Sequence, residues 1–179
     1  MIDGREDESP RAGQMLGRRQ ALFLGLALLC AVLLAISLRY VFYRAGLQEV
    51  LFFNQKIFYW HVPSAIMLFV MVMISGVAAG FYLKNRKPGF DDVVLAASEI
   101  AVLCGLIVLV TGSIWAKPAW GKWWEWDARL TSSLILWLTV LGALMTRRYG
   151  GLGSERLAAG LSVFAAVHVP LVYFSVSVW

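Results

Sequence analysis

The composition of this 179-residue chain excludes a soluble globular protein. Hydrophobic residues make up 60% of it, charged residues only 15%, and the mean hydropathy is +0.71, which leaves too little polar surface to cover a globule in water. The formal net charge of +5 is explained by cations flanking apolar segments, so it does not indicate a nucleic-acid partner.

Apolar segments dominate the chain after a polar start. Residues 1–20 mix both charge signs with Gly and Pro and have no apolar periodicity, which predicts a disordered cytoplasmic tail. The remaining residues, 21–179, form one predicted transmembrane domain. A span needs about 20 mostly apolar residues, and candidates lie at 21–38, 62–83, 93–116, 130–145 and 157–178. The predicted fold is therefore all-α, a polytopic membrane helix bundle with five transmembrane helices.

The distribution of cations predicts the orientation of these helices. With the N-terminus in the cytoplasm, ten cations fall inside: Arg5, Arg11, Arg18, Arg19, Lys84, Arg86, Lys87, Arg147, Arg148 and Arg156. Six fall outside: Arg39, Arg44, Lys56, Lys117, Lys122 and Arg129. Because cytoplasmic loops carry an excess of Lys and Arg, a cytoplasmic N-terminus is favoured.

The chain contains two histidines, and this orientation places both in the outer half of the membrane. His61 lies in the first turn of the second predicted helix, just before Pro63. An ionisable side chain at such a position is a functional candidate because it is costly without a partner. Two interpretations remain open: an interfacial histidine bonded to water or a carbonyl, or an axial ligand of haem iron.

Glu99 is the charged residue within the third apolar segment. A carboxylate there must be neutral, paired or facing a polar cavity. We expect it to reach the interface or to bond Ser98 or Ser75 of a neighbouring helix, and the alternative is a proton or haem relay.

Five of the eight tryptophans lie between Trp115 and Arg129. Such a cluster at the end of a membrane segment either anchors the helices in the headgroup layer or stacks on a flat aromatic ligand. Lys117, Lys122 and Arg129 alternate with the indoles, which suits a planar ligand that carries acids. Haem combines a flat macrocycle, an iron for imidazole and two propionates.

Three blocks of the sequence resemble a known family. The run 110–113 continuing through 120–132 (Trp-Gly-Lys-Trp-Trp-Glu-Trp-Asp-Ala-Arg-Leu-Thr-Ser) resembles the tryptophan-rich signature of the cytochrome c maturation protein C family, also called heme exporter protein C. The run 57–65 is similar to its histidine block, and the run 169–176 is similar to the end of its fifth helix. Together the three blocks span nearly the whole chain after the tail.

The resemblance implies a function and a set of partners. It implies haem b held at the periplasmic face of a bacterial inner membrane and delivered to a periplasmic haem chaperone during cytochrome c maturation. The implied partners are that chaperone, a small single-helix subunit and an ABC-type ATPase and permease pair.

We expect the site residues to divide by chemistry. His61 would ligate iron, and Asp127 would orient Arg129 or cap the fourth helix. The indoles of Trp120, Trp123, Trp124 and Trp126 would stack on the porphyrin, and Lys56, Lys122 and Arg129 would meet propionates.

The chain also departs from the family pattern. Members usually carry a second ligand histidine after the fifth-helix block and then a sixth helix, so we expect this chain to lack the C-terminal part of a longer protein. If it is complete, either His168 substitutes as iron ligand or His61 binds alone. Lys56 replaces a frequent Arg, and Glu125 either opposes propionates or accepts a bond from Lys122.

Two rival functions remain. One is a membrane subunit of a cytochrome c haem lyase, and the other is a haem permease, for which Glu99 is the charged intramembrane residue. The sequence has no Walker motif, GxSxG elbow, paired carboxylates or cysteine nucleophile, so we expect no hydrolytic enzyme.

Overall fold

The structure, a computed structural model, describes residues 9–46 and 53–178, and these residues form long α-helices. The helices are α1 (Ser9–Tyr43), α2 (Gln55–Asn85), α3 (Pro88–Trp120), α4 (Ala128–Tyr149) and α5 (Ser154–Val178). All five are long and apolar enough to cross a membrane. The predicted all-helical polytopic fold with five membrane-spanning helices is confirmed.

The helix α1 lies in a compact unit of its own, Met1–Leu47. It begins at Ser9, whereas the sequence predicts a disordered tail up to residue 20. Residues 11–20 are rich in Ala, Gln, Leu, Met and Arg, which are good helix formers. They can extend an adjoining helix without the cost of a new helical nucleus. The predicted tail over residues 1–8 lies outside the described residues.

The helices α2 to α5 form a second unit, Gln48–Trp179, arranged as an up-and-down four-helix bundle. α2 packs on α3 and α5, and α4 packs on α5 and α3. Short connections at 86–87 and 150–153 join helices at one end, which we call the basic end, and the loop 121–127 joins α3 to α4 at the other, the tryptophan end. Short connections favour antiparallel neighbours.

The bundle core is apolar and contains several small residues. Its central cluster draws on all four helices: Leu68, Val72, Ala101, Leu136, Val140, Ala165, Val169 and Val172. Gly76 brings α2 close to α5, because a Cβ there would lie 2.2 Å from the Cβ of Ala166. Gly80, one turn further, has open space beside it. Of the two glycines in this small-x-x-x-small pattern, only Gly76 lies at a close helix contact.

Ion pairs join α3 to α4 at the basic end. The Arg147 Nε donates to both carboxylate oxygens of Asp91, at 3.1 and 2.8 Å, and Arg148 is paired with Glu99. The expectation that Glu99 bonds Ser98 or Ser75 is wrong, because Arg148 supplies a full charge at the bundle surface. The two serines instead hydrogen-bond each other at 3.0 Å.

The Gly76 contact generates a stability prediction. Gly76→Ala should destabilise the bundle by about 1–3 kcal/mol, the usual cost of overpacking. Gly80→Ala is the matched control and should be neutral or slightly stabilising, because alanine is the better helix former. Thermal unfolding midpoints in detergent measure both. Equal midpoints for the two variants would contradict the close α2–α5 contact.

Candidate functional site

A cavity of about 180 Å³ lies between α2, α3 and α4 in the half of the bundle towards the tryptophan end. It is lined by Ile57, Phe58 and His61 of α2, by Val108, Leu109 and Trp115 of α3, and by Arg129, Leu130 and Ser133 of α4. Its wall is thus mostly apolar, with one imidazole and one guanidinium. This composition is typical of a ligand site, where a few polar groups orient an otherwise apolar molecule.

His61 is held against α3. Because α2 begins at Gln55, His61 lies in the second turn, rather than in the first turn that the sequence predicts. Its Nδ1 is 2.9 Å from the hydroxyl oxygen of Thr111. The neighbouring Gly112 leaves room for this approach, because a Cβ there would lie in tight contact with the His61 Cε1, at 3.3 Å.

The tryptophan-rich segment is half helix and half loop. α3 continues through Pro118 to Trp120 and ends at Gly121, whose φ of 76° is in the left-handed region. Glycine adopts this conformation without strain. The Lys117 ammonium donates to the Gly121 carbonyl at 2.8 Å. The segment is therefore divided into helical indoles, Trp115 and Trp120, and loop indoles, Trp123, Trp124 and Trp126.

The helical indoles tie three helices together. Trp115 contacts Phe58 of α2, with ring centroids 5.5 Å apart, and contacts Trp120 edge to face at 5.0 Å. The Arg129 guanidinium of α4 lies 5.2 Å from the Trp120 ring centroid. Such aromatic and cation–π contacts are each worth about 0.5–1.5 kcal/mol. Three of these side chains, those of Phe58, Trp115 and Arg129, line the cavity.

The loop indoles are the more accessible group. Trp123 and Trp126 expose 59% and 75% of their surface, and Trp126 contacts Trp124 edge to face at 5.7 Å. Lys122 donates to a Glu125 carboxylate oxygen at 3.0 Å, so Glu125 does accept a bond from Lys122. Exposed aromatic faces in a short loop are available to a membrane surface or to a flat ligand.

Asp127 has both of the roles that the sequence left open. Its Oδ1 accepts a hydrogen bond from the Leu130 backbone N–H at 2.7 Å, which caps α4. Its Oδ2 lies 3.6 Å from the Arg129 guanidinium. The same carboxylate therefore starts α4 and helps to orient Arg129 towards Trp120.

Two further predicted site residues lie apart from the cavity. Lys56 is 8% exposed, and its ammonium lies 5.4 Å from the Phe53 ring centroid. His168 of α5 has its Nε2 at 3.2 Å from the Ser132 backbone carbonyl. Neither is among the described residues that line the cavity. Their roles towards propionates and iron stay predictions.

Two indole N–H groups are buried without a hydrogen-bond partner in the described part of the chain. They belong to Trp115 and Trp124, one from each half of the segment. An unpaired buried donor costs about 1–3 kcal/mol. A ligand with acceptor atoms, such as a carboxylate, would remove that cost.

The comparisons with known proteins bear on this site. A family model described as heme exporter protein C matches residues 9–179. The chain belongs to this family. The heme exporter protein C of Bradyrhizobium diazoefficiens is 39% identical over 126 residues, which cover 69% of this chain and 48% of the relative. The relative of the same name from Escherichia coli strain K12 is 36% identical over 132 residues, covering 70% of this chain and 52% of its own length.

A third member of the heme exporter protein C family, from Haemophilus influenzae, is 37% identical over 128 residues, covering 69% of this chain and 51% of the relative. The chain spans about half the length of the curated relatives it matches. Family membership and five apolar helices together identify a multi-pass membrane protein.

Sequence reasoning assigned no role to several residues of the site. Thr111 is 50 positions from its partner His61, so no local pattern connects them. Phe58 and Gly112 stand beside recognised motifs, but only the packing of α2 on α3 brings them to the cavity. The sequence identified Trp115 only as one of five clustered tryptophans. Its position in the cavity wall depends on the continuation of α3 to Trp120.

The double role of Asp127 can be tested by two substitutions. Asp127→Ala removes the cap and should destabilise the protein by about 1 kcal/mol, within the usual range for an N-cap. Asp127→Asn should keep most of that stability, because an asparagine oxygen caps equally well. Thermal unfolding of both variants in detergent is the measurement. If the two variants were equally unstable, the ion pair with Arg129 rather than the cap would carry the stability.

Proposed function

We propose that this member of the heme exporter protein C family holds haem b at its tryptophan end and hands it to a periplasmic haem chaperone during cytochrome c maturation. The observation that carries the proposal is His61 in the wall of a largely apolar cavity, with Arg129 in the same wall and exposed indoles in the adjoining loop. The role is transport and hand-over rather than catalysis.

His61 supplies the contact to iron. His61 would hold the iron of bound haem, because neutral imidazole is a common protein ligand of haem iron. The Thr111 contact engages Nδ1, so Nε2 is the nitrogen that we assign to iron. The second predicted ligand, His168, is engaged with the Ser132 carbonyl through Nε2, so we propose no iron contact for it.

The size of the cavity determines how much of the macrocycle it could hold. Pockets for small molecules usually measure about 300–1,000 Å³, whereas this cavity measures about 180 Å³. It is large enough for one edge of a porphyrin. The rest of the ring would lie against the loop indoles, of which Trp123 and Trp126 are the most exposed.

Cations at this end can meet the propionates. The guanidinium of Arg129 has five N–H donors, more than its contacts with Asp127 and Trp120 require. Lys122 and Glu125 form an exposed pair, with 64% and 49% of their side chains accessible, and exposed pairs contribute only about 0–1 kcal/mol. Lys122 can therefore change partners at little cost. The unpaired Trp115 and Trp124 N–H groups provide further donors.

The proposal includes a location and partners. The tryptophan end would face the periplasm of a bacterial inner membrane, with the basic end in the cytoplasm, in keeping with the distribution of Lys and Arg. The proposed partners are the periplasmic haem chaperone, a small single-helix subunit and an ABC-type ATPase and permease. Membership of the heme exporter protein C family supports these partners.

Features of the bundle disfavour the permease alternative. The space between the buried side chains of Ser75, Ser98 and Ser162 does not admit a water molecule. Ser75 and Ser98 bond each other, and Ser162 bonds the Ala158 carbonyl at 3.0 Å. Glu99 lies at the bundle surface in a pair with Arg148. Within the described residues of α2 to α5, these groups supply no polar path for haem.

Haem binding by the purified protein tests the proposal. Haemin is titrated into detergent-purified wild type, His61→Ala and Trp123→Ala, and the Soret band is recorded. Loss of the ligand imidazole should weaken binding by more than the roughly 10–100-fold expected for an outer-shell partner. Loss of one stacking indole, at about 0.5–1.5 kcal/mol, should weaken it by up to about tenfold.

His168→Ala is the matched control, because it removes the second imidazole away from the cavity. It should bind haemin as wild type does. Circular dichroism of each variant shows whether the helices are intact. Equal binding by all variants, or by none of them, would leave the tryptophan-rich segment as an interfacial anchor and overturn the proposal.

A further inference from the structure

We infer that Thr111 is a positioning residue that holds His61 in a single tautomer, with the ring hydrogen on Nδ1 and the lone pair on Nε2. The inference rests on the proposed function in one respect only, the assignment of Nε2 to haem iron. The tautomer itself follows from contacts between α2 and α3, whatever the cavity binds.

Counting hydrogens identifies the donor in each contact of the Thr111 hydroxyl. Its oxygen lies 2.6 Å from the Ile107 carbonyl oxygen and 2.9 Å from the His61 Nδ1. A carbonyl oxygen only accepts, and a hydroxyl has one hydrogen to donate. Because the shorter contact is the one to Ile107, that hydrogen goes to the carbonyl. Nδ1 then donates to the hydroxyl oxygen. The Val108 carbonyl oxygen, which lies 3.4 Å from the same hydroxyl, also accepts a hydrogen bond from the His61 ring. Because these oxygens take the ring hydrogen at this edge, the lone pair of the neutral ring is on Nε2.

Gly112 strengthens the constraint by bringing the ring close to α3. A Cβ at this position would lie 3.3 Å from Cε1 and 3.9 Å from Nδ1 of His61. The Nδ1–Cε1 edge of the imidazole is therefore the edge turned towards α3. A hydroxyl acceptor and an adjacent residue without a side chain together define both the position and the hydrogen-bonding edge of the ring.

A fixed tautomer matters for metal binding. A neutral imidazole in water exchanges between two tautomers, and only a nitrogen with a free lone pair can bind iron. The hydrogen bond at the other nitrogen determines which one is available. Partners of this kind also orient the ring, and losing one typically costs 10–100-fold in metal affinity.

The bond from Thr111 to its own helix is not by itself evidence of a role, because Thr139 does the same on α4. The Thr139 hydroxyl donates to the Ile135 carbonyl at 2.8 Å, on an exposed side of the bundle. Thr111 differs from Thr139 because its hydroxyl oxygen also contacts the His61 imidazole. Thr139→Val is therefore the matched control for Thr111→Val.

The first experiment is carried out without haem. Histidine labelled with ¹⁵N is incorporated into the full chain in detergent, and the imidazole nitrogens are observed by NMR. The chain has two histidines, so His168→Asn leaves only the His61 signals. In this background His61 should show a protonated Nδ1 and an unprotonated Nε2 above the pH at which the ring takes a second proton. Thr111→Val should produce a mixture of tautomers, and Thr111→Ser and Thr139→Val should not.

The second experiment measures haemin affinity from the Soret band for the same variants. Thr111→Val should bind about 10–100-fold more weakly than wild type, Thr111→Ser should restore binding, and Thr139→Val should match wild type. Gly112→Ala, which displaces the ring and keeps the hydroxyl, should shift the Soret maximum of the bound haem.

The two experiments separate failure of this inference from failure of the proposed function. The inference is overturned if Thr111→Val leaves the His61 tautomer unchanged, or if the ring hydrogen is on Nε2 in the protein that keeps Thr111. Either result overturns it whether or not the protein binds haemin. Tight haemin binding by His61→Ala overturns the iron contact of the proposed function and leaves the NMR result to decide the role of Thr111. If Thr111→Val does not fold, the spectrum with wild-type Thr111 still decides it, because a ring hydrogen on Nε2 there overturns the inference.

Discussion

The half-buried imidazole of His61 lies in the second turn of α2, in the wall of the cavity. The Thr111 hydroxyl of α3 lies 2.9 Å from its Nδ1, and Gly112 leaves room for the ring, because a Cβ there would be in tight contact with Cε1. His61 also lines the cavity together with Phe58, Trp115 and Arg129. The hydrogen bond to Thr111 joins α2 to α3 and orients the ring in the cavity wall.

The two ends of the four-helix bundle use charge differently. At the basic end, Asp91 and Glu99 of α3 are paired with Arg147 and Arg148 of α4, so these charges hold neighbouring helices together. At the tryptophan end, Lys122 is exposed beside Glu125 and Arg129 lies over an indole. Exposed pairs are weak and easily exchanged, which would suit the proposed uptake and release of an acidic ligand at this end.

The tryptophan-rich segment combines rigid and accessible parts. Its helical half continues α3 and packs Trp115 between Phe58 and Trp120, which builds the cavity wall. Its loop half, held between Gly121 and the Asp127 cap, presents exposed indole surface. Such a division would suit the proposed hand-over, because a partner protein could reach a ligand held at one edge by a rigid wall and at the other by an exposed loop.

The sequence by itself determined the membrane-spanning class and the number of apolar helices, because helices in lipid must satisfy their own backbone and therefore appear as long apolar runs. It also determined the family, from the motifs around His61 and Trp120, and limited Asp127 to two roles that are local in the chain, capping α4 or orienting Arg129. The tertiary structure alone decided that Thr111 and Gly112 meet His61, that Glu99 pairs with Arg148 rather than with a serine, and that Gly76 but not Gly80 lies at a close contact. Each of these depends on how far one helix is rotated and shifted against its neighbour, and that is set by packing over the whole bundle rather than by any local pattern.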